Sequence, residues 1–292
     1  MPSMLASNRH HAPVRAVAWM LGSLFSFSLM AVCARELSGA IPTHQTLFFR
    51  SAVGLAVLSI LLLYSRARVR IHTNRFTLHA FRNVFHFAGQ YGWFIGIGLL
   101  PLAEVFALEF TVPIWTLVVA AIMLGETITA RKVVAILLGS LGVVVILQPG
   151  IAIIQGASFI VLGSAICYAI SHTATKSLSA SESAFSILFY MCLIQLPIGL
   201  LLTVFNWVWP VGFQWLWLLL IGFTALSAHY CMVNAMKYAE VTTIVTLDFL
   251  RLPLIAWVGV LLYSEQLEVA LIMGGILMLA GNMVSLNQSK LK

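Results

Sequence analysis

Charge is what this sequence has least of. Only 9% of its residues are Asp, Glu, Lys or Arg, and the acidic ones number nine among 292. A soluble domain of this size carries about a quarter of its residues charged, so a water-facing globular fold is excluded. Close-spaced cysteines are also missing. Cys33, Cys167, Cys192 and Cys231 stand singly inside apolar stretches, which reads as small buried hydrophobes and says nothing about redox compartment. No P-loop is present, so ATP-driven pumping would need another subunit. What fills the chain instead is apolar: 61% of residues are hydrophobic and mean hydropathy is +1.01. That composition belongs to a polytopic membrane protein, with little left over for a soluble domain.

A helix needs about 20 apolar residues to cross the hydrocarbon. Ten stretches qualify, near 14–34, 45–64, 79–99, 102–124, 130–147, 153–176, 183–205, 213–236, 241–262 and 267–286. The first is too long for a signal-peptide core and is expected to belong to the fold. With the N-terminus inside, Arg9, Arg15, Arg66, Arg68, Arg70, Arg75, Arg131, Lys132, Lys176, Lys237, Lys290 and Lys292 fall on the inner side and only Arg35 on the outer. The positive-inside rule thus predicts both termini in the cytoplasm. The net charge of +7 is an orientation signal. The Arg66, Arg68, Arg70, Arg75 run suits anionic lipid and comes with no nucleic-acid-binding fold.

The chain also repeats itself. Leu21-Gly22-Ser23 recurs as Leu162-Gly163-Ser164, and Leu47-Phe48-Phe49 as Leu188-Phe189-Tyr190, about 141 positions on. Further along, Ala103-Glu104-Val105 matches Ala239-Glu240-Val241, Pro113 matches Pro253, and Leu124-Gly125-Glu126 matches Tyr263-Ser264-Glu265. The fold class expected is an all-α membrane protein of ten transmembrane helices, residues 1–148 forming one five-helix repeat and 149–292 the other. Five crossings per copy would turn the second copy upside down. Such inverted repeats bind cargo at their interface near the midplane.

An ionisable group at the bilayer centre costs about 2.5 to 3.5 kcal/mol on insertion scales, so each needs a partner or a purpose. Glu109 lies four residues before Pro113, and Asp248 five before Pro253. The two carboxylates are near-equivalents under the repeat, each beside a proline expected to kink its helix as a hinge. Asp248 and Arg251 are three apart on one helix and can neutralise each other as a structural pair. Glu109 has no basic neighbour within four positions. It must be protonated, meet Arg50 or Arg82 across helices, or meet a cationic group of cargo, and in the last case it could exchange a proton for cargo.

Two readings stand for Arg50: a fork for carboxylate or phosphate, or a side chain snorkelling to the outer headgroups. Arg82, one turn from the cytoplasmic end, is expected to snorkel. His86, His172 and His229 lie on three spans. They line a cavity as polar groups or, for His86 and His229, ligate a b-type haem. Tyr91, with Trp93 and Phe94, makes the third span aromatic. Most aromatics, including Trp115 and Trp257, are expected to face lipid or the interface, with one or two walling the cavity. Gly92 and Gly96 on the third span, and Gly139, Gly142, Gly274 and Gly281 on the fifth and tenth, permit close helix contact. Glu126 and Glu265 each open the helix that follows, as capping or gating residues outside the cavity.

Leu21-Gly22-Ser23, Ala235-Met236-Lys237-Tyr238-Ala239, Pro113 followed by Leu124-Gly125-Glu126, and the run Gly139-Ser140-Leu141-Gly142-Val143-Val144 together resemble the EamA-type members of the drug/metabolite transporter superfamily, over nearly the whole chain. The resemblance implies ten helices in two inverted repeats and a central cavity lined by the first four helices of each. It also implies transport of amino acids, other small metabolites, cofactors or cationic drugs, often as export. The chain departs from the usual pattern at Tyr263-Ser264-Glu265, and Asp248 to Pro253 places charge where many relatives are apolar, which argues against a purely hydrophobic drug. The expectation is a secondary transporter in the inner membrane, not an enzyme, working by alternating access on a small polar or zwitterionic solute. Glu109, Asp248, Arg251, Arg50, Tyr91 and His229 are its candidate substrate or coupling residues, Pro113 and Pro253 its hinges. No cofactor or metal is expected, proton coupling is a possibility, and import or a haem-binding redox protein are the alternatives.

Overall fold

Inside a bilayer a backbone amide finds no water, so a spanning segment must satisfy its polar groups within its own helix. The computed structural model describes residues 13–37, 39–64, 71–100, 102–109, 111–147, 156–263 and 269–286, and they form helices and connecting turns with no strand among them. Arg9, Arg66, Arg68, Arg70, Ser264, Glu265, Lys290 and Lys292 lie outside the described residues.

The first half contains α1 (Pro13–Leu37), α2 (Thr43–Tyr64), α3 (Phe76–Leu99), α4 (Leu102–Glu109), α5 (Val112–Leu124) and α6 (Ala130–Leu147). The second contains α7 (Gly156–Ser179), α8 (Ala184–Thr203), α9 (Gln214–Ala235), α10 (Val241–Leu247), α11 (Arg251–Tyr263) and α12 (Val269–Leu286). Five of them, α1, α2, α7, α8 and α9, are long and apolar enough to cross a membrane.

Eight of the ten expected spans are single helices; the fourth and ninth are not. Where a proline kink was expected in a continuous helix, the fourth span is interrupted by a turn at Thr111 and resumes as α5 at Val112, with Pro113 in its first turn. The ninth stops at Leu247, passes through a 3-10 turn, Asp248–Leu250, and restarts as α11 with Pro253 in its first turn. Proline in a first turn sacrifices no hydrogen bond, because the N–H it lacks would be unpaired there anyway.

The halves interlock. α1 packs mainly on α9, α3 on α7, α2 on α8 and α6 on α12, so each finds its principal neighbour in the other half. Glycines set the spacing where expected. A Cβ on Gly92 would overlap Ser164, one on Gly96 would overlap Val161, and one on Gly281 would press on the Ala135 carbonyl. Gly139 of α6 receives the ring of Phe249, which is fully buried, so the 3-10 turn is wedged into the α6 surface. Trp115 and Trp257 face outward, exposed as expected.

Candidate functional site

The two breaks meet. Arg251, the first residue of α11, donates from Nη2 to Glu109 Oε1 at 2.6 Å and to Asp248 Oδ2 at 2.9 Å. Glu109 therefore finds its cation on the opposite half, on neither Arg50 nor Arg82. Its second oxygen, Oε2, accepts the indole N–H of Trp93 at 2.7 Å, so both oxygens are bound by the protein. Asp248 keeps one oxygen open: Oδ1 is buried and without a partner among the described residues. Phe27 and Phe106 flank the Arg251 guanidinium at 5.3 and 5.4 Å from their ring centroids. Aromatic faces stabilise a desolvated cation. The cluster is an acidic pole with two carboxylates to one guanidinium.

A basic pole lies on α2, α3 and α8. Arg50 is buried, at 3% exposure, and does not snorkel. Its Nη1 donates to Gln90 Oε1 at 3.2 Å and Gln195 Oε1 at 3.4 Å. Gln195 Nε2 donates in turn to Asn83 Oδ1 and His86 Nδ1, at 3.1 and 2.8 Å. Arg82, expected at the headgroups, is 1% exposed and turned into the same network. It donates to Thr175 Oγ1 at 3.0 Å and Asn83 Oδ1 at 2.7 Å. Every acceptor bonded to these two guanidiniums is neutral; among the described residues no carboxylate pairs with either.

Both poles line one small cavity. Phe27, Arg50, Gln90, Trp93, Phe94, Glu109, Tyr168, His172, His229, Asp248 and Arg251 surround a volume of about 30 Å³. That holds one or two waters, far less than the ~300 Å³ of a ligand pocket, so the walls have closed on the site. Beside it lies a hollow of about 440 Å³ formed by the α1–α2 turn with Ile41, Pro42 and Thr46, the end of α3 and Val208. Phe94 lines both spaces and is the partition between them.

At the end of the bundle away from this hollow the halves are tied together by polar side chains. α5 stops at Gly125, whose φ of +68° is left-handed, a conformation glycine adopts at no steric cost. That turn aims Glu126 at the other half. Its Oε1 accepts the Val241 N–H at 3.0 Å and its Oε2 the Thr242 hydroxyl at 2.9 Å. Glu126 thus caps α10 of the other half, where a cap on its own following helix, or a gating residue, was expected. Lys132 bridges Glu126 and Glu240, at 3.2 and 2.9 Å, and Lys176 donates to the carbonyls of Met236 and Ala239 at 2.5 Å each.

The remaining candidates divide. His229 lines the cavity. Its ring meets His86 edge to face, centroids 4.7 Å apart, which leaves no slot for a porphyrin between them. Tyr91 stacks on Phe87 and is not among the described residues lining the cavity; Tyr168 and Trp93 take the place expected of it. Sequence reasoning passed over Gln90, Gln195 and Asn83, whose only signal was a neutral amide inside an apolar span.

Comparison with known proteins fits this architecture. The model of the EamA-like transporter family matches residues 14–148 and again 155–287. An S-adenosylmethionine uptake transporter of Rickettsia prowazekii is 22% identical over 95% of this chain and 94% of its own length. A riboflavin transporter of Vibrio cholerae is 27% identical over 88% of each chain. The pseudopaline exporter CntI of Pseudomonas aeruginosa is 27% identical over 91% of this chain and 93% of its own. One solved crystal structure superposes with a TM-score of 0.78 at 20% identity, covering 94% of this chain and 97% of the other; at that identity the likeness concerns the fold.

Proposed function

From the premise that this chain belongs to the EamA-like transporter family, we propose that it is an inner-membrane secondary transporter of a small polar or zwitterionic metabolite, an amino acid or a compound derived from one. The carrying observation is the cavity at the paired helix breaks. Glu109 and Asp248 supply carboxylates and Arg251 and Arg50 guanidiniums, groups of both signs to meet the two ends of a zwitterion. Asp248 Oδ1 is its open acceptor and Arg50 its open donor. Discontinuous helices at corresponding positions of two repeats are where transporters hold cargo.

In this reading residues 1–148 and 149–292 are inverted five-helix repeats with both termini cytoplasmic. The two family matches, the reciprocal packing of the halves and the positive-inside count support it. The side tied by Glu126 and Lys132 is then cytoplasmic, the hollow beyond Phe94 is external, and Pro113 and Pro253 are the hinges of alternating access. Export is the direction proposed; the uptake transporter of Rickettsia prowazekii among the relatives favours import as the second reading. The Glu109–Arg251 pair, 2.6 Å long and shared between the halves, is the proton-coupling element of this reading. Glu109→Gln is expected to flatten the pH dependence of transport, and an unchanged pH profile removes the proton role.

Metabolite profiling of medium and cytosol, with the gene deleted and overexpressed, tests the whole reading. A polar solute that accumulates inside on deletion and outside on overexpression establishes an exporter. The reverse makes it an importer, and no change in any solute overturns the reading.

A further inference from the structure

Arg50 is bound by the protein on one nitrogen only. Nη1 carries both of its amide contacts, to Gln90 and Gln195, while Nε and Nη2 are buried and without partners among the described residues. These two nitrogens form one edge of the planar guanidinium, and their N–H bonds run parallel. A carboxylate presents two oxygens at the matching spacing, and such two-point pairs are the strongest that Arg makes. The edge belongs to a side chain lining the cavity, and the neutral network behind it fixes the ring without supplying an anion.

The charge argues the same way. A buried guanidinium is expensive unless an anion answers it, and Arg82, in the same network through Asn83 and Gln195, adds a second uncompensated cation. We propose that the Nε and Nη2 edge of Arg50 is the docking point for a carboxylate of the cargo, so that the transporter selects solutes with a free carboxylate and rejects their amides and esters. The proposal rests on the transport reading and narrows its substrate class.

Purified full-length protein in detergent provides the test, with sodium propionate as the minimal probe and propionamide as its uncharged isostere, ionic strength held constant with sodium chloride. Ligand binding to the folded state raises the unfolding temperature. Propionate is expected to raise it in a saturable way and propionamide to leave it unchanged. Arg50→Gln should weaken the propionate response at least tenfold. Arg50→Lys, which keeps the charge and loses the fork, should also weaken it. Equal responses to propionate and propionamide in the wild type overturn the proposal without need of any variant. So does a propionate response that survives in Arg50→Gln, or inorganic phosphate binding more tightly than propionate at the same ionic strength. The failures are separable. Profiling that finds an exported solute without a carboxylate sinks the docking assignment and keeps the transporter. Binding of propionate on Arg50 with no solute moved in cells does the opposite.

Discussion

At the acidic pole Arg251 is held by Glu109 and Asp248 and flanked by two aromatic rings, whereas at the basic pole the hydrogen-bond partners of Arg50 and Arg82 among the described residues are amides and a hydroxyl. Both sets of charges are buried, and only one is answered. The acidic pole joins α4 of one half to α11 of the other, so its charges are spent on holding the two broken spans together. The basic pole lies on unbroken helices and bridges the halves through neutral groups. A site can keep a charge unspent for a ligand only where the scaffold does not depend on neutralising that charge.

Arg251→Leu should break this contrast hardest. It strands two carboxylates in a cavity with room for one or two waters, and removing one partner of a buried pair typically costs about 3–5 kcal/mol. Thermal unfolding in detergent should show a large loss of stability, partly restored when Glu109→Leu is added. Trp93→Phe is the intermediate case. It keeps the ring and deletes the N–H that Glu109 Oε2 accepts, a charged hydrogen bond worth about 1.5–3 kcal/mol. Arg50→Leu should have the smallest effect on stability, within about 1 kcal/mol. The weak Nη1 bonds it forfeits are offset by removing an uncompensated cation. If Arg50→Leu unfolds the protein as readily as Arg251→Leu, the two poles are not different in kind.

Much of the acidic pole was visible in the residues. A carboxylate in an apolar stretch is conspicuous because of its insertion cost, and the paired prolines marked where each span is interrupted. Asp248 and Arg251 could be joined by their spacing of three. The Glu109 to Arg251 pair could not, because the partners are 142 positions apart and nothing local points from one to the other. Arg82 shows the limit of arguing from depth: one turn from the membrane surface the side chain can reach either way, and the amide of Asn83 and hydroxyl of Thr175 draw it inward. Neutral amides such as Gln90 and Gln195 are costly to bury only while they lack hydrogen bonds, and theirs come from other helices, so residue type alone does not announce them. Glu126 was legible as a cap at a helix start. Which helix it caps depended on the left-handed turn at Gly125 and on where the other half lies.

The sequence by itself determined the membrane as solvent, the number and approximate limits of the apolar stretches, the two-copy pattern and the identity of the charges that had to be explained. These follow from composition and period, which act locally and need no partner. Only the tertiary structure decided that both broken spans converge on Arg251, that Trp93 completes Glu109, that Phe94 separates cavity from hollow, and that one edge of Arg50 is left open. Those outcomes depend on which side chains converge across the interlocked halves. A buried charge is satisfied by whatever group comes within about 3 Å of it, wherever that group stands in the chain.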